Sequence, residues 1–136
     1  MRDEKGFSSI ELLIILSIIG IIAAVVVPNL LQPEVDANEV SAIKSMYNFI
    51  NAQSTYSETN NPGHYATDLS SLSKLKLIDT ALGSGIKDGY TFSISSGVDN
   101  TTFTINARPE IYDSTGTRSF FADESNKIRY TIDNTA

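Results

Sequence analysis

The strongest pattern in this sequence is an unbroken apolar segment near its start. From Leu12 to Val27, sixteen consecutive residues carry no charge, and only Ser17 and Gly20 interrupt the aliphatic side chains. A surface helix of a soluble protein has a polar side, and this segment has none. Extended to residues 7–31, the segment spans 25 residues, which at about 1.5 Å per residue can cross a hydrocarbon core about 30 Å thick. We therefore predict a transmembrane helix over residues 7–31, with a single charge, Glu11, near its start.

An amphipathic helical pattern follows the apolar segment. Apolar side chains recur at helical spacing and predict one buried face: Val35, Val40, Ile43, Tyr47 and Ile50. Polar side chains are placed on the opposite side: Glu34, Asp36, Glu39, Lys44, Asn48 and Asn51. Because proline lacks a backbone N–H, Pro28 and Pro33 predict kinking or local melting where the two patterns meet. We predict one long helix from Phe7 to about Glu58 with a weak point at Pro28; two helices joined at Pro33 are the alternative.

Beyond residue 59 the pattern changes from helix to sheet. Asn, Pro and Gly at 59–63 end the long helix, and Thr67 or Asp68 is a candidate N-cap for a short one. Alternation of period two then predicts strands near residues 90–94, 103–107 and 128–132, and the segment 119–122 between turn signals completes a set of four antiparallel strands. The second half of the long helix must cover the apolar face of this sheet. The fold class is therefore α+β, a long N-terminal helix packed on a four-stranded antiparallel sheet.

Composition limits the classes of function. A chain of 136 residues with 41% hydrophobic content supports one domain in addition to the first helix. The net charge of −6 argues against a phosphate-binding surface, so we expect no nucleic acid partner. The chain contains no cysteine, so no disulfide can form, and we expect strand pairing alone to close the C-terminal edge.

The sequence contains no recognisable catalytic or metal-binding motif. It has one histidine, no Gly-rich phosphate loop and no His-rich metal spacing, so we predict neither an enzyme nor a cofactor. Carboxylates in the C-terminal loops offer calcium as an alternative, because oxygen ligands in loops suit that ion: Asp113, Asp123, Glu124 and Asp133. We favour solvated turn residues as the interpretation of these four.

The first residues carry a more specific signal. Residues 1–6 form a short leader of mixed charge, and its small residue, Gly6, stands before the apolar segment, whereas an ordinary secretory signal has its small-residue site after it. Gly6-Phe7 with Glu11 four residues beyond, set against such an apolar segment, resembles the class III signal of type IV prepilins and type II secretion pseudopilins. The resemblance implies cleavage after Gly6, N-methylation of Phe7, and a buried pair between Glu11 and the α-amino group of a neighbouring subunit. Such a pair fixes register more than it adds stability.

The resemblance also implies an architecture and a set of partners. It divides the chain into a leader (1–6), a transmembrane and filament-core helix (7–31) and a pilin headpiece (32–136) with the type IV pilin fold. The subunit would enter the bacterial inner membrane and then join an extracellular pilus that serves adhesion, motility or related surface functions. The implied partners are further copies of the chain, a prepilin peptidase, an inner-membrane platform protein, an assembly ATPase and a secretin.

Two other functions remain open from the sequence. The first is a type II secretion pseudopilin that acts as a piston in a periplasmic pseudopilus. The second, of another class, is a membrane-anchored periplasmic binding domain that never polymerises. That domain would need neither a cleavable Gly6-Phe7 junction nor Glu11.

Overall fold

The protein is described by a computed structural model that covers residues 6–26 and 31–132. It divides into two compact units, Met1–Pro33 and Glu34–Ala136, and each is described by itself. The first unit contains helix α1, Ser9–Val26. Its helix lies inside the segment that the apolar pattern predicts.

The second helix, α2, extends over Leu31–Thr59 and ends one residue beyond the predicted end. Pro33 is its third residue, where a missing N–H is tolerated because the first N–H groups of a helix have no intrahelical acceptor. A junction between two helices at Pro33 is therefore wrong. The predicted weak point at Pro28 lies outside the described residues, as does the connection between α1 and α2, so a helix continuous from Phe7 stays a prediction.

The core-facing side of α2 differs from the predicted one. Its buried apolar residues are Val35, Ala42, Met46, Phe49, Ile50 and Ala52. Val40 and Tyr47 were expected on this side, but they are 67% and 54% exposed. Glu39 was expected in solvent, but it is buried with 2% exposure. The sequence pattern does not distinguish the buried apolar side of α2 from its exposed apolar residues. Only the buried side packs in the headpiece.

Two short helices follow α2. Helix α3, Leu69–Lys74, is capped by Asp68, the second of the two candidates, whose carboxylate accepts a hydrogen bond from the backbone N–H of Ser71 at 2.7 Å. Helix α4, Thr80–Gly83, is capped in the same way by Asp79. Side-chain caps of this kind stabilise short helices by about 0.5–2 kcal/mol. The prediction of a short helix after Asp68 is confirmed.

Within the described residues the sheet has five strands, where the sequence predicted four. They are β1 (Ile86–Lys87), β2 (Tyr90–Ser96), β3 (Phe103–Pro109), β4 (Ser119–Asp123) and β5 (Ile128–Thr131). All neighbours are antiparallel, and the strands lie in chain order. The four predicted strands are present, and the additional strand, β1, is too short to show an alternating pattern.

Side chains from α2 and from one face of the sheet form the headpiece core. Phe92 and Ile105 from β2 and β3 are buried, as is Phe120 from β4. The ring of Phe49 on α2 lies 5.4 Å from the ring of Phe92, centroid to centroid. This contact between helix and sheet confirms the predicted α+β fold class.

Candidate functional site

Helix α1 exposes apolar side chains on every side. Every described side chain from residue 6 to residue 24 is exposed. The large apolar residues are 42–81% exposed: Phe7, Ile10, Leu12, Leu13, Ile14, Ile15, Leu16, Ile18, Ile19, Ile21 and Ile22. Burying a side chain of this size is worth about 1.5–3 kcal/mol, and contiguous exposed apolar surface marks a site of interaction. The candidate functional site is therefore the surface of α1.

The described part of the chain contains no helix that is both long enough and apolar enough to span a membrane. The predicted transmembrane segment, 7–31, includes residues 27–30, which lie outside the described residues.

A reciprocal pair of hydrogen bonds begins α1. The backbone N–H of Ser8 donates to Oε2 of Glu11 at 2.9 Å, and the N–H of Glu11 donates to Oγ of Ser8 at 3.3 Å. This arrangement is a capping box, which satisfies N–H groups at a helix start that have no partner within the helix. It also places a negative charge at the positive end of the helix dipole. The carboxylate of Glu11 is thus held one turn from Phe7.

The capping box was not predicted from the sequence, although its signal was available. A serine three residues before a glutamate, at the start of an apolar segment, is the spacing of a capping box. The structure adds Ser8 to the residues of the site.

The predicted cleavage junction lies immediately before this capped turn. Gly6 and Phe7 precede the first residue of α1 and are exposed, Phe7 by 81%. A Cβ atom added at Gly6 would meet no atom within 4 Å, so the described structure does not require glycine there. Cleavage after Gly6 and methylation of Phe7 stay predictions.

Asp123, one of the acidic residues proposed as an alternative calcium site, makes local contacts. One oxygen of Asp123 accepts hydrogen bonds from the N–H and the hydroxyl of Ser125, and its other oxygen lies 3.7 Å from Arg129. The Ser125 contacts lower the pKa of Asp123 below its ordinary value. Among residues 6–26 and 31–132, no three Asp, Glu, His or Cys side chains form a group that could hold a metal. Asp113 and Glu124 belong to no such group there, and Asp133 lies outside those residues.

A buried carboxylate, Glu39, joins α2 to the segment before β4. Its Oε1 accepts hydrogen bonds from the N–H and the hydroxyl of Thr117, at 2.9 and 2.8 Å, and from the N–H of Arg118 at 3.2 Å. Its Oε2 accepts a bond from Nε of Arg118 at 2.7 Å and lies 2.6 Å from Nη2. Burial alone would raise the pKa of Glu39, but these hydrogen bonds and the guanidinium hold it below its ordinary value. We call this set of contacts the Glu39 clamp.

Further contacts hold the same part of the headpiece together. Asn38 donates to the carbonyl of Thr115 at 3.1 Å, and the hydroxyl of Tyr90 donates to the carbonyl of Arg118 at 2.8 Å. The hydroxyl of Tyr112 donates to the carbonyl of Ile132 just after β5, at 2.5 Å. The expectation that strand pairing alone closes the C-terminal edge is therefore wrong. Side-chain hydrogen bonds and an ion pair contribute as well.

These features define a class of protein. It has an α+β headpiece, and its chain also carries an exposed apolar helix that begins with a capping box containing Glu11. Comparison with known proteins gives relatives of this kind. The chain is 37% identical over 101 residues to the type IV wide pilus major component PilA4 of Thermus thermophilus, covering 74% of this chain and 71% of the relative. It is 30% identical over 90 residues to the type II secretion system core protein G of Escherichia coli, covering 64% of this chain and 61% of the relative.

No protein-family model matches the chain, and no solved structure matches it. The similarity to PilA4 extends over most of both chains and is sufficient to assign the family. The chain belongs to the family of type IV pilins and type II secretion pseudopilins, which are structural subunits of a pilus or a pseudopilus. The resemblance inferred from the sequence is confirmed.

Proposed function

We propose that this chain is a structural subunit of a type IV pilus-like helical filament, with α1 in the filament core. The observation that carries the proposal is the exposure of apolar side chains on every side of α1. A helix of this kind is stable when lipid or other apolar helices surround it completely. Because lipid and neighbouring helices are equally apolar, close packing decides the geometry of the bundle.

Before assembly, the proposal places the subunit in the bacterial inner membrane with its headpiece in the periplasm. A prepilin peptidase removes residues 1–6 and methylates the new N-terminus at Phe7. Support comes from the position of Gly6 and Phe7, which are exposed and precede the regular structure of α1. The described residues around Gly6 leave open space, so packing within the chain does not obstruct access to the junction.

Glu11 is proposed to guide docking by pairing with the α-amino group of Phe7 in a neighbouring subunit. The capping box supports this role because it holds the Glu11 carboxylate in place through the N–H of Ser8. A carboxylate can accept about four hydrogen bonds, so the bond from Ser8 leaves capacity for an ammonium group. Placing a carboxylate such as that of Glu11 in the membrane costs free energy, up to about 2.5–3.5 kcal/mol at the bilayer centre. Pairing with the neighbour's amine offsets that cost.

The remaining partners follow from this life cycle: an inner-membrane platform protein, an assembly ATPase and a secretin for the extracellular filament. Adhesion and motility are the surface functions that such a filament serves. The proposal includes no catalytic reaction and no cofactor. Calcium binding by the C-terminal acidic residues is not needed for it.

A periplasmic pseudopilus that acts as a piston in type II secretion is the second candidate. It is favoured by the similarity to the core protein G of Escherichia coli. The pilus is the better supported of the two, because the similarity to PilA4 is higher in identity and covers more of both chains. Neither relative supports a non-polymerising binding domain.

The test is intact mass and N-terminal sequencing of the protein recovered from sheared cells and from the envelope. A chain that begins at Phe7, carries one additional methyl group and is abundant in sheared filaments supports the pilus. The same processed chain confined to the envelope, without surface filaments, supports the pseudopilus. A chain that still begins at Met1 and remains in the inner membrane would refute both.

A further inference from the structure

A cleft lies between α2 and the segment that joins α3 to α4. Its volume is about 640 Å³, within the range of about 300–1,000 Å³ that is usual for small-molecule sites in proteins. Every residue that lines it belongs to the second unit, so the cleft is a feature of the headpiece alone. None of these residues takes part in the Glu39 clamp.

The floor of the cleft is apolar. Ala52 on α2, Ile78 before α4 and Leu82 in α4 line it, and their exposed fractions are 3%, 7% and 1%. Leu77 lies beside them and is half-buried. An apolar group that enters the cleft would therefore leave water and gain a surface to pack against.

The two sides of the cleft are polar. Asn48 and Asn51 lie about one turn apart on α2, and Ser73 and Thr80 belong to α3 and α4 on the other side. Within the described part of the chain, the side-chain amides of Asn48 and Asn51 form no hydrogen bond. An amide side chain both donates and accepts, as a peptide group does, so these two residues offer the contacts that an extended peptide needs.

The charge that is available in the cleft is positive. Asp79 lines the cleft, but its Oδ1 accepts a hydrogen bond from the N–H of Leu82 at 2.7 Å, and its Oδ2 lies 3.8 Å from Nζ of Lys87. Lys76 also lines the cleft, and it forms no ion pair with any residue that the structure describes. Lys76 is therefore the group that a ligand with a negative charge would meet.

Lys76 occupies a backbone position that favours glycine. Its φ of 56° is left-handed, and the N–H groups of Lys76 and Leu77 donate to the carbonyls of Ser73 and Leu72, both at 3.0 Å. These two bonds form the Schellman motif that ends α3, and glycine is the usual residue at its left-handed position. Lys74 already places a cation in the last turn of α3. A reason for lysine at position 76 therefore has to come from its ammonium group.

We propose that the cleft binds the carboxyl end of a peptide whose last side chain is apolar. The terminal carboxylate pairs with the ammonium group of Lys76, and the last side chain covers the apolar floor. The preceding peptide groups form hydrogen bonds with the amides of Asn48 and Asn51. An inorganic anion would leave the floor uncovered, and a fatty acid would leave the polar sides without partners.

The first probe is the peptide acetyl-Ala-Ala-Leu with a free carboxylate. It is added to the full chain in an uncharged detergent, and binding is followed by amide resonances in two-dimensional NMR spectra. We expect saturable changes at the residues that line the cleft. The same peptide with a C-terminal amide should bind at least about tenfold more weakly, because it lacks the charge that pairs with Lys76. No saturable change, or equal affinity for the two peptides, would overturn the inference.

Substitutions at Lys76 separate binding from folding. Lys76→Gly removes the ammonium group and introduces the residue that the backbone favours, so the melting temperature should stay the same or rise. The affinity for the peptide acid should nevertheless fall at least about tenfold. Lys76→Arg keeps the charge and should retain binding. The matched control is Lys74→Gln, which removes a charge from outside the cleft; equal weakening in this control and in Lys76→Gly would refute the role of Lys76.

Two further ligands test the chemical class. Acetate has a carboxylate but no apolar side chain, and it should not compete at the concentrations that saturate the peptide. N-acetyl-leucine should bind more weakly than the tripeptide, because it offers fewer peptide groups to Asn48 and Asn51. Acetate that binds as tightly as the peptide would show an adventitious ion only, and equal affinity for N-acetyl-leucine would refute a peptide ligand. These measurements use dispersed subunits, so they leave the proposed filament to its own test.

Discussion

The contacts of the Glu39 clamp predict how a substitution at Glu39 changes the stability of the headpiece. Glu39→Ala removes the carboxylate that accepts three hydrogen bonds at Oε1 and holds the Arg118 guanidinium at Oε2. Two backbone N–H groups and a guanidinium then lose their acceptor. We expect the headpiece to be destabilised. A donor that folding has removed from water pays the cost of desolvation, and without Glu39 it gains no hydrogen bond in return.

The magnitude follows from the burial of the two partners. Removing one partner of a fully buried ion pair costs about 3–5 kcal/mol. The side chain of Glu39 is only 3% exposed, but that of Arg118 is 36% exposed, so water can solvate the freed guanidinium. We therefore expect about 2–3 kcal/mol for Glu39→Ala, which lowers the melting temperature of a headpiece of about 100 residues by about 8–24 °C. Glu39→Gln keeps the shape and one acceptor oxygen, and its cost should be about 1–2 kcal/mol.

The assay is thermal unfolding of the full chain in detergent, followed by near-ultraviolet circular dichroism of the headpiece tyrosines. Glu34→Gln is the matched control, since Glu34 is an exposed acid on the same helix and its change should stay within about 0.5 kcal/mol. A melting temperature for Glu39→Ala equal to that of the control would refute the reasoning. A large loss that is the same in an Arg118→Ala background would show that the ion pair is not its source.

The remaining predictions concern pH and the start of α1. The pKa of Glu39 is lower in the folded state than its ordinary value of 4.5. The stability that the ionised Glu39 contributes is therefore fully present above pH 4.5 and is lost as pH falls through the folded pKa. When the melting temperature is measured at decreasing pH, it should fall less for Glu39→Gln than for the unaltered chain. Glu11→Ala should leave membrane insertion intact and stop or slow filament assembly, and normal filament yield would contradict the docking role. Ser8→Ala removes a capping box and should destabilise the first turn of α1 by about 0.5–2 kcal/mol, seen as earlier fraying in amide exchange, with rescue by Ser8→Thr.

The sequence predicted elements that have a local period. Strands β2 and β3 alternate between buried and more exposed residues, and α3 begins at Asp68, one of the two caps that the sequence offers. Strand β1 is two residues long, and two residues cannot show an alternation. Local pattern therefore gave the fold class and missed one strand of the sheet.

Contacts between distant residues were beyond the reach of the pattern. Glu39 was assigned to the polar side of α2 because a charged residue is ordinarily solvated, but its partners, Thr117 and Arg118, are 78 and 79 residues further along. The opposite error occurred at Val40 and Tyr47, which were assigned to the core because they are apolar. A helical period tells which residues share a side. It does not tell how many sides have partners.

The number of apolar sides decreases along the N-terminal part of the chain. On α1 apolar side chains are exposed on every side, and the first part of α2 has one buried apolar side and two exposed apolar residues, Val40 and Tyr47. After Tyr47 the exposed side becomes polar, while the core-facing side stays apolar through Phe49 and Ile50. A monomer stable in water would gain nothing from this gradient, because its exposed apolar surface costs free energy and has no partner. In the proposed filament, neighbouring copies would cover the exposed apolar side chains of α1.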